Sequence, residues 1–158
     1  MLVLPLAVLV FAAFTFKAHS PIYTGKRITV VIDAGHGGHD NGAISFDGSV
    51  KEKYINLAIV QKIQELNSKD KIKIELTRSD DTYQSHLDKA NFSRQQHADL
   101  FISIHVDNEQ KESAISRTGM SVWVPKDNLS ISGRSKVLAA TIISTFSKDY
   151  GLYVIDPV

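Results

Sequence analysis

Two apolar runs, each leading to a histidine, constrain this chain more than any other feature. Val30-Val31-Ile32 passes through Asp33-Ala34-Gly35 to His36, and Leu100-Phe101-Ile102-Ser103-Ile104 passes directly to His105. Both runs are rich in β-branched and aromatic side chains and read as buried parallel strands. Open α/β sheets collect their ligands just beyond the carboxyl ends of the strands. Two imidazoles delivered to that edge by separate strands point to a metal site, and the metal points to a hydrolase.

The rest of the chain alternates in the same manner. Ile28–Ile32 reads as the first strand and Ile72–Leu76 as the second. Leu100–His105 is the third and Gly119–Val124 the fourth. A helix is expected over Lys53–Leu66, with Ile55, Ile59, Ile63 and Leu66 on one face. A weaker helix is expected over Leu87–His97. A third is expected over Ser135–Ser147, with Val137, Leu138, Thr141, Ile142 and Thr145 inward and Gly151 as its stop. Alternating elements of this kind imply an α/β domain, a mostly parallel sheet with helices on both faces. The segment Leu152-Tyr153-Val154-Ile155 begins a closing strand that Asp156-Pro157-Val158 cuts short, so the last strand is expected to be missing or incomplete.

The length of 158 residues suits one domain with a real core. The formal net charge of +1 offers no electrostatic case for a nucleic-acid partner. The absence of cysteine removes thiolate ligands and leaves His, Asp and Glu to hold a metal. Leu2–Phe16 is almost wholly apolar, too short for a routine membrane span and suited to the core of an export signal. Residues 1–20 are therefore expected to be a signal peptide or an uncleaved anchor held through residues 2–16. Residues 21–158 are expected to be the working domain, exported to the periplasm or cell envelope. The loop from Asp33 to Val50 holds five of the nine glycines and is too long for a routine connection, which marks it as functional.

A catalytic zinc needs three protein ligands and an open position for water. His36 and His105 supply two. Glu52 stands where the glycine-rich loop feeds the first helix, at the same sheet edge as His36, and is the candidate for the third. The competing reading makes Ser49-Val50-Lys51-Glu52 a helix capping box, with Glu52 bonded to the amide of Ser49. His39 and Asp40 are candidates to contact substrate or to orient a ligand. Arg78 ends the second strand, where it would bind a substrate carboxylate or be a solvated strand end. His86 and His97 read as surface residues, and Trp123 as core or sheet-face packing.

Four segments carry a family resemblance in the right order. They are Ile32-Asp33-Ala34-Gly35-His36-Gly37-Gly38, then Glu52-Lys53-Tyr54-Ile55-Asn56-Leu57-Ala58, then Thr77-Arg78, then Ala98-Asp99-Leu100-Phe101-Ile102-Ser103-Ile104-His105. From about Ile28 to Tyr150 the chain resembles the zinc-dependent N-acetylmuramoyl-L-alanine amidases of the type-3 group. The resemblance implies a helix-flanked sheet and zinc on His36, Glu52 and His105. It implies peptidoglycan as partner and cleavage of the amide between N-acetylmuramic acid and the first L-alanine of the stem peptide. It also implies a second glutamate as general acid/base on a last strand, expected beyond Val158. Asp107, which falls where the family commonly has Asn, is a weak substitute. Glu75 lies inside a strand, and Glu109 and Glu112 sit in the polar loop after His105. A chain without the second glutamate would be a zinc- and wall-binding domain without turnover. A zinc carboxypeptidase-like enzyme is a third possibility, which the glycine-rich sequence after His36 disfavours. The loop Asn108–Thr118 is too short and polar to be read as an autoinhibitory helix, and no activator protein is legible.

Overall fold

The computed structural model describes residues 27–67, 72–106, 119–126, 132–151 and 154–156. The expected export segment, Asp107, Glu109, Glu112 and the loop 108–118 lie outside the described residues. No helix among the described residues is long and apolar enough to cross a membrane.

Strand β1 (Ile28–Ala34) is the centre of a three-stranded parallel sheet, between β2 (Ile72–Leu76) and β3 (Leu100–Ile104). Its register sets Ile32 opposite Leu76 on one side and Asp33 opposite Ser103 on the other. Both faces of β1 are covered: Val30, Val31, Ile32 and Ala34 are all buried. That is why its sequence shows no polar alternation. Fully burying one such side chain stabilises the fold by about 1.5–3 kcal/mol.

β3 departs from the expected fully buried strand. Among the described residues it is an edge strand, and its residues alternate. Leu100, Ile102 and Ile104 pack on the core formed by Val30, Ile32, Ala34 and Val60, whereas Phe101 is exposed. Ser103 and His105 share the parity of Phe101, because successive strand side chains face opposite ways.

Helix α1 (Glu52–Leu66) covers the Val30/Ile32/Ala34 face through Val60, with Leu57 and Ile63 packed beside it. The buried stripe runs through Lys53, Asn56 and Val60, so the helix is rotated from its sequence-predicted face. Ile59 and Leu66 are exposed. The rotation has a physical cause: Glu52 and Asn56 are anchored by hydrogen bonds at the sheet edge, and they fix the helix about its axis.

Helix α2 (His86–Gln95) starts at Ser85, whose side chain forms a capping box with Asp88. It ends two residues before the expected His97, which adopts φ +50°. A bond from Lys89 Nζ to Asp33 Oδ2 (3.1 Å) ties α2 to the sheet face opposite α1. The sheet thus carries helices on both faces, as the alternation of elements predicts.

Helix α3 (Ser132–Tyr150) is longer than expected, and Gly151, at φ +64°, closes it with an N–H bond to the Ser147 carbonyl. Its buried residues are Ser132 and Ala139, while Val137, Thr141 and Thr145 of the expected inner face are exposed. Strand β4 (Met120–Ser121) is much shorter than Gly119–Val124. It pairs in parallel with β5 (Val154–Asp156) in a separate two-stranded sheet rather than joining the first. Trp123 is 83% exposed, so it packs in neither the core nor a sheet face.

Candidate metal centre

Three elements meet at the carboxyl edge of the sheet. β1 runs into Gly35 and His36, α1 begins at Glu52, and His105 follows β3 directly. The side chains the sequence singles out converge: one ligand atom from each of His36, Glu52 and His105 lies within 4.8 Å of the others. Glu52 Oε1 is 3.1 Å from His36 Nε2 and 3.0 Å from His105 Nδ1. The two rings meet edge to face with centroids 4.8 Å apart. Donors bonded to one tetrahedral zinc are separated by roughly 3.3 Å, given bonds of about 2.0–2.1 Å.

Local backbone geometry makes this convergence. His36 has φ +63°, an uncommon left-handed conformation for a side-chain-bearing residue. Gly35 and Gly42 leave room for the rings. A Cβ on Gly35 would run into the imidazole of His105. A Cβ on Gly42 would lie 2.5 Å from both Glu52 Oε2 and His36 Cδ2.

Glu52 is not part of a capping box. Lys51 is the N-cap of α1 and its side chain makes no cap bond. The Glu52 carboxylate instead turns inward, only 5% exposed. Oε2 accepts the Ala43 N–H (2.8 Å), and Oε1 accepts the Val106 N–H (3.0 Å) and Asn56 Nδ2 (3.3 Å). Burial pushes its pKa up, but the Ala43 and Val106 amides, Asn56 and nearby His36 outweigh burial and hold it below the usual value. It is an anion at neutral pH, ready to ligate without losing a proton.

Asp40 orients His36: the ring Nδ1 and Asp40 Oδ2 are 2.8 Å apart. Asp40 also accepts the Gly42 N–H, and these two bonds, that to His36 foremost, hold its pKa below the usual value. An acceptor at Nδ1 places the proton of a neutral His36 there and leaves a lone pair on Nε2. That lone pair faces the Glu52 carboxylate. Two acceptors at 3.1 Å repel unless a cation lies between them, so the donor set suits a metal ion.

The other candidates lie elsewhere. Exposed His39 stacks on Tyr83 with centroids 4.2 Å apart. Arg78 is 4% exposed, which corrects the solvated-end reading. Its guanidinium donates to the carbonyls of Ala34, Gly35, Lys53 and Asp80, and so stitches the loops after β1 and β2 to the start of α1. His86 and His97 are exposed, as expected. Glu75, in β2, pairs with Lys73 (2.9 Å).

Several residues were not singled out by sequence. Asn56 donates to both the Gly35 carbonyl and Glu52. It lies four residues past Glu52, hence on the same helix face, which is a signal the spacing offers. Asp33 accepts from Thr77 Oγ1 (2.7 Å), Ser103 Oγ (2.7 Å) and Lys89 Nζ. A carboxylate inside a buried apolar strand demands such partners, so its position was itself a clue. Lys53 Nζ bonds the Gly38 carbonyl and Asp81 Oδ2, both at 2.7 Å, while Asp81 Oδ1 accepts the Gly38 N–H. The Asp81 bond raises the Lys53 pKa and lowers that of Asp81.

Fold and site together define a class: an α/β domain whose parallel strands deliver a His/Glu/His cluster to their carboxyl edge. The chain belongs to the N-acetylmuramoyl-L-alanine amidase family, whose model matches residues 30–155. It is 39% identical over 115 residues to the N-acetylmuramoyl-L-alanine amidase AmiA of Escherichia coli (strain K12), covering 73% of this chain and 38% of that protein. Among solved structures it is similar to the N-acetylmuramoyl-L-alanine amidase from Clostridium difficile 630, with TM-score 0.72, 34% identity, and 84% of this chain and 71% of that one covered. The catalytic domain of CwlV, the amidase of Bacillus (Paenibacillus) polymyxa var. colistinus, gives TM-score 0.68 at 31% identity, with 81% and 67% covered. This chain spans about two fifths of the length of the curated relatives it matches.

Proposed function

We propose that residues 21–158 form a zinc-binding domain of an exported cell-wall amidase, acting on the amide between N-acetylmuramic acid and L-alanine in peptidoglycan. Residues 1–20 serve as its export signal, or as an anchor through residues 2–16, delivering it to the periplasm or envelope. The observation that carries the reading is the approach of His36 Nε2 and His105 Nδ1 to one oxygen of Glu52. His36, Glu52 and His105 would hold the ion.

When bound, zinc supplies a Lewis acid for the scissile carbonyl and a water of lowered pKa. The chain's own residues prepare that site. Asp40 keeps the His36 Nδ1 protonated, so Nε2 stays free to ligate. The Ala43 and Val106 amides and Asn56 hold Glu52 ionised and aimed. A cleft of about 630 Å³ opens beside His36 and His105 and admits the peptide. The resemblance assigns proton delivery to the leaving amine to a second glutamate.

One observation favours a second reading, binding without turnover. Among the described residues the acids lining the cleft are Asp33 and Asp40, and both already have partners. Neither is free to protonate a leaving group.

The test is to express the full chain in zinc-containing medium, measure bound zinc, and assay release of stem peptides from peptidoglycan. We expect one zinc per chain, lost in His105→Ala, together with peptide release. Metal-free protein from that medium would overturn the reading. Zinc binding and wall retention without release would establish the second.

A further inference from the structure

The cleft beside the cluster runs between α2 and the outer face of β3, where Phe101 and Ser103 form part of its wall. One face of α2 lines it: His86, Lys89, Ala90, Ser93 and Arg94. Their spacing of three, four, seven and eight residues is that of a single helical stripe. Over those eight positions the stripe extends about 12 Å along the helix axis.

The charged residues of the cleft differ in whether they are paired. Lys89 is buried and pairs with Asp33. Asp40, the other acid of the lining, is held by His36 and the Gly42 amide. Arg94 is exposed, and the partner of its Nη1 is the neutral Asn91 Oδ1 at 2.8 Å. Among the described residues it meets no carboxylate. Arg78, the arginine the sequence offers for a substrate carboxylate, has turned its donors to main-chain carbonyls. Arg94 therefore stands on the α2 wall of the cleft without a carboxylate partner, while Asp33 and Asp40 have partners of their own.

We propose that Arg94 binds a carboxylate of the stem peptide, so that the α2 wall selects acidic peptides over amidated ones. The proposal rests on the peptidoglycan reading above for the identity of the peptide. A guanidinium presents paired N–H donors that match the two oxygens of a carboxylate, which a neutral amide cannot reproduce.

The test uses the zinc-loaded full chain and two probes that carry no scissile muramoyl amide: L-alanyl-D-glutamate and its diamide, titrated calorimetrically. The native chain should bind the acid about tenfold more tightly than the diamide. Arg94→Gln should bring that ratio below about twofold, and Arg94→Lys should restore part of it. Lys62→Gln, on exposed α1, should leave it unchanged. Equal binding of the two probes by the native chain, or a preference that survives Arg94→Gln, overturns the proposal. Peptide release from peptidoglycan is measured in parallel. Release without the preference rejects the Arg94 site alone, and the preference without release rejects turnover alone.

Discussion

Replacing Gly42 with alanine separates the cost of backbone strain from damage to the cluster. Gly42 adopts φ +64°, and its new Cβ would lie 2.5 Å from Glu52 Oε2 and 2.8 Å from His36 Nε2. Gly48 adopts φ +75° in the same loop, but a Cβ there meets nothing within 4 Å. Both alanines occupy a left-handed conformation that costs roughly 1–2 kcal/mol. The stiffer unfolded chain offsets about 0.4–1 kcal/mol of that. Each variant should therefore lose about 1 kcal/mol of stability in urea denaturation. Gly42→Ala bears a further burden. For ordinary contact at about 3.4 Å, Glu52 must retreat by about 0.9 Å, whereas metal donors tolerate about 0.2 Å. We expect zinc affinity, measured by competition with a chromophoric chelator, to fall by about 10–100-fold in Gly42→Ala and to stay native in Gly48→Ala. Equal zinc affinity in the two variants would refute the placement of the ion between Glu52 and His36.

Asp40→Ala should lower zinc affinity by about 10–100-fold without unfolding the chain, because it frees the His36 tautomer; competition titration and circular dichroism read the two effects. Val60→Ala, at a position with no exposure, should cost about 2 kcal/mol from lost burial and the cavity left behind, read as a lower urea midpoint. Trp123→Ala should change stability by less than about 0.5 kcal/mol in the same assay, since the ring is exposed. Glu52, Asp40 and Asp81 all have lowered pKa values in the folded chain. Their stabilisation is present above the ordinary carboxylate range of about 4 and is lost as pH falls through their lower folded values. The urea midpoint of the metal-free chain should thus fall below about pH 4, and Asp40→Asn should flatten part of that fall.

The sequence announces β1 and β2 clearly, β1 as an apolar run and β2 as Ile72, Ile74 and Leu76 alternating with Lys73 and Glu75. It places β3 as well, but not its exposed face, because one sequence does not say which strand ends a sheet. The axial rotation of α1 was hidden for a related reason. Its isoleucines suggest one stripe, yet the tethered Glu52 and Asn56 select another, and those tethers come from Ala43, Val106 and Gly35, distant in sequence. His36, Glu52 and His105 were legible from strand ends and the loop that joins them to α1. The role of Arg78 was not, because an arginine at a strand end reads as solvated until four carbonyls are seen around it. Lys89 and Asp33 illustrate the same limit: opposite charges 56 residues apart in the chain become neighbours only once α2 is laid over the sheet.

Zinc K-edge absorption spectroscopy on the zinc-loaded chain addresses the central arrangement most directly. Two imidazoles, one carboxylate oxygen and one further light atom at about 2.0–2.2 Å are predicted, with one imidazole lost in His105→Ala. A native spectrum with fewer than two imidazoles, or one unchanged by His105→Ala, would contradict it.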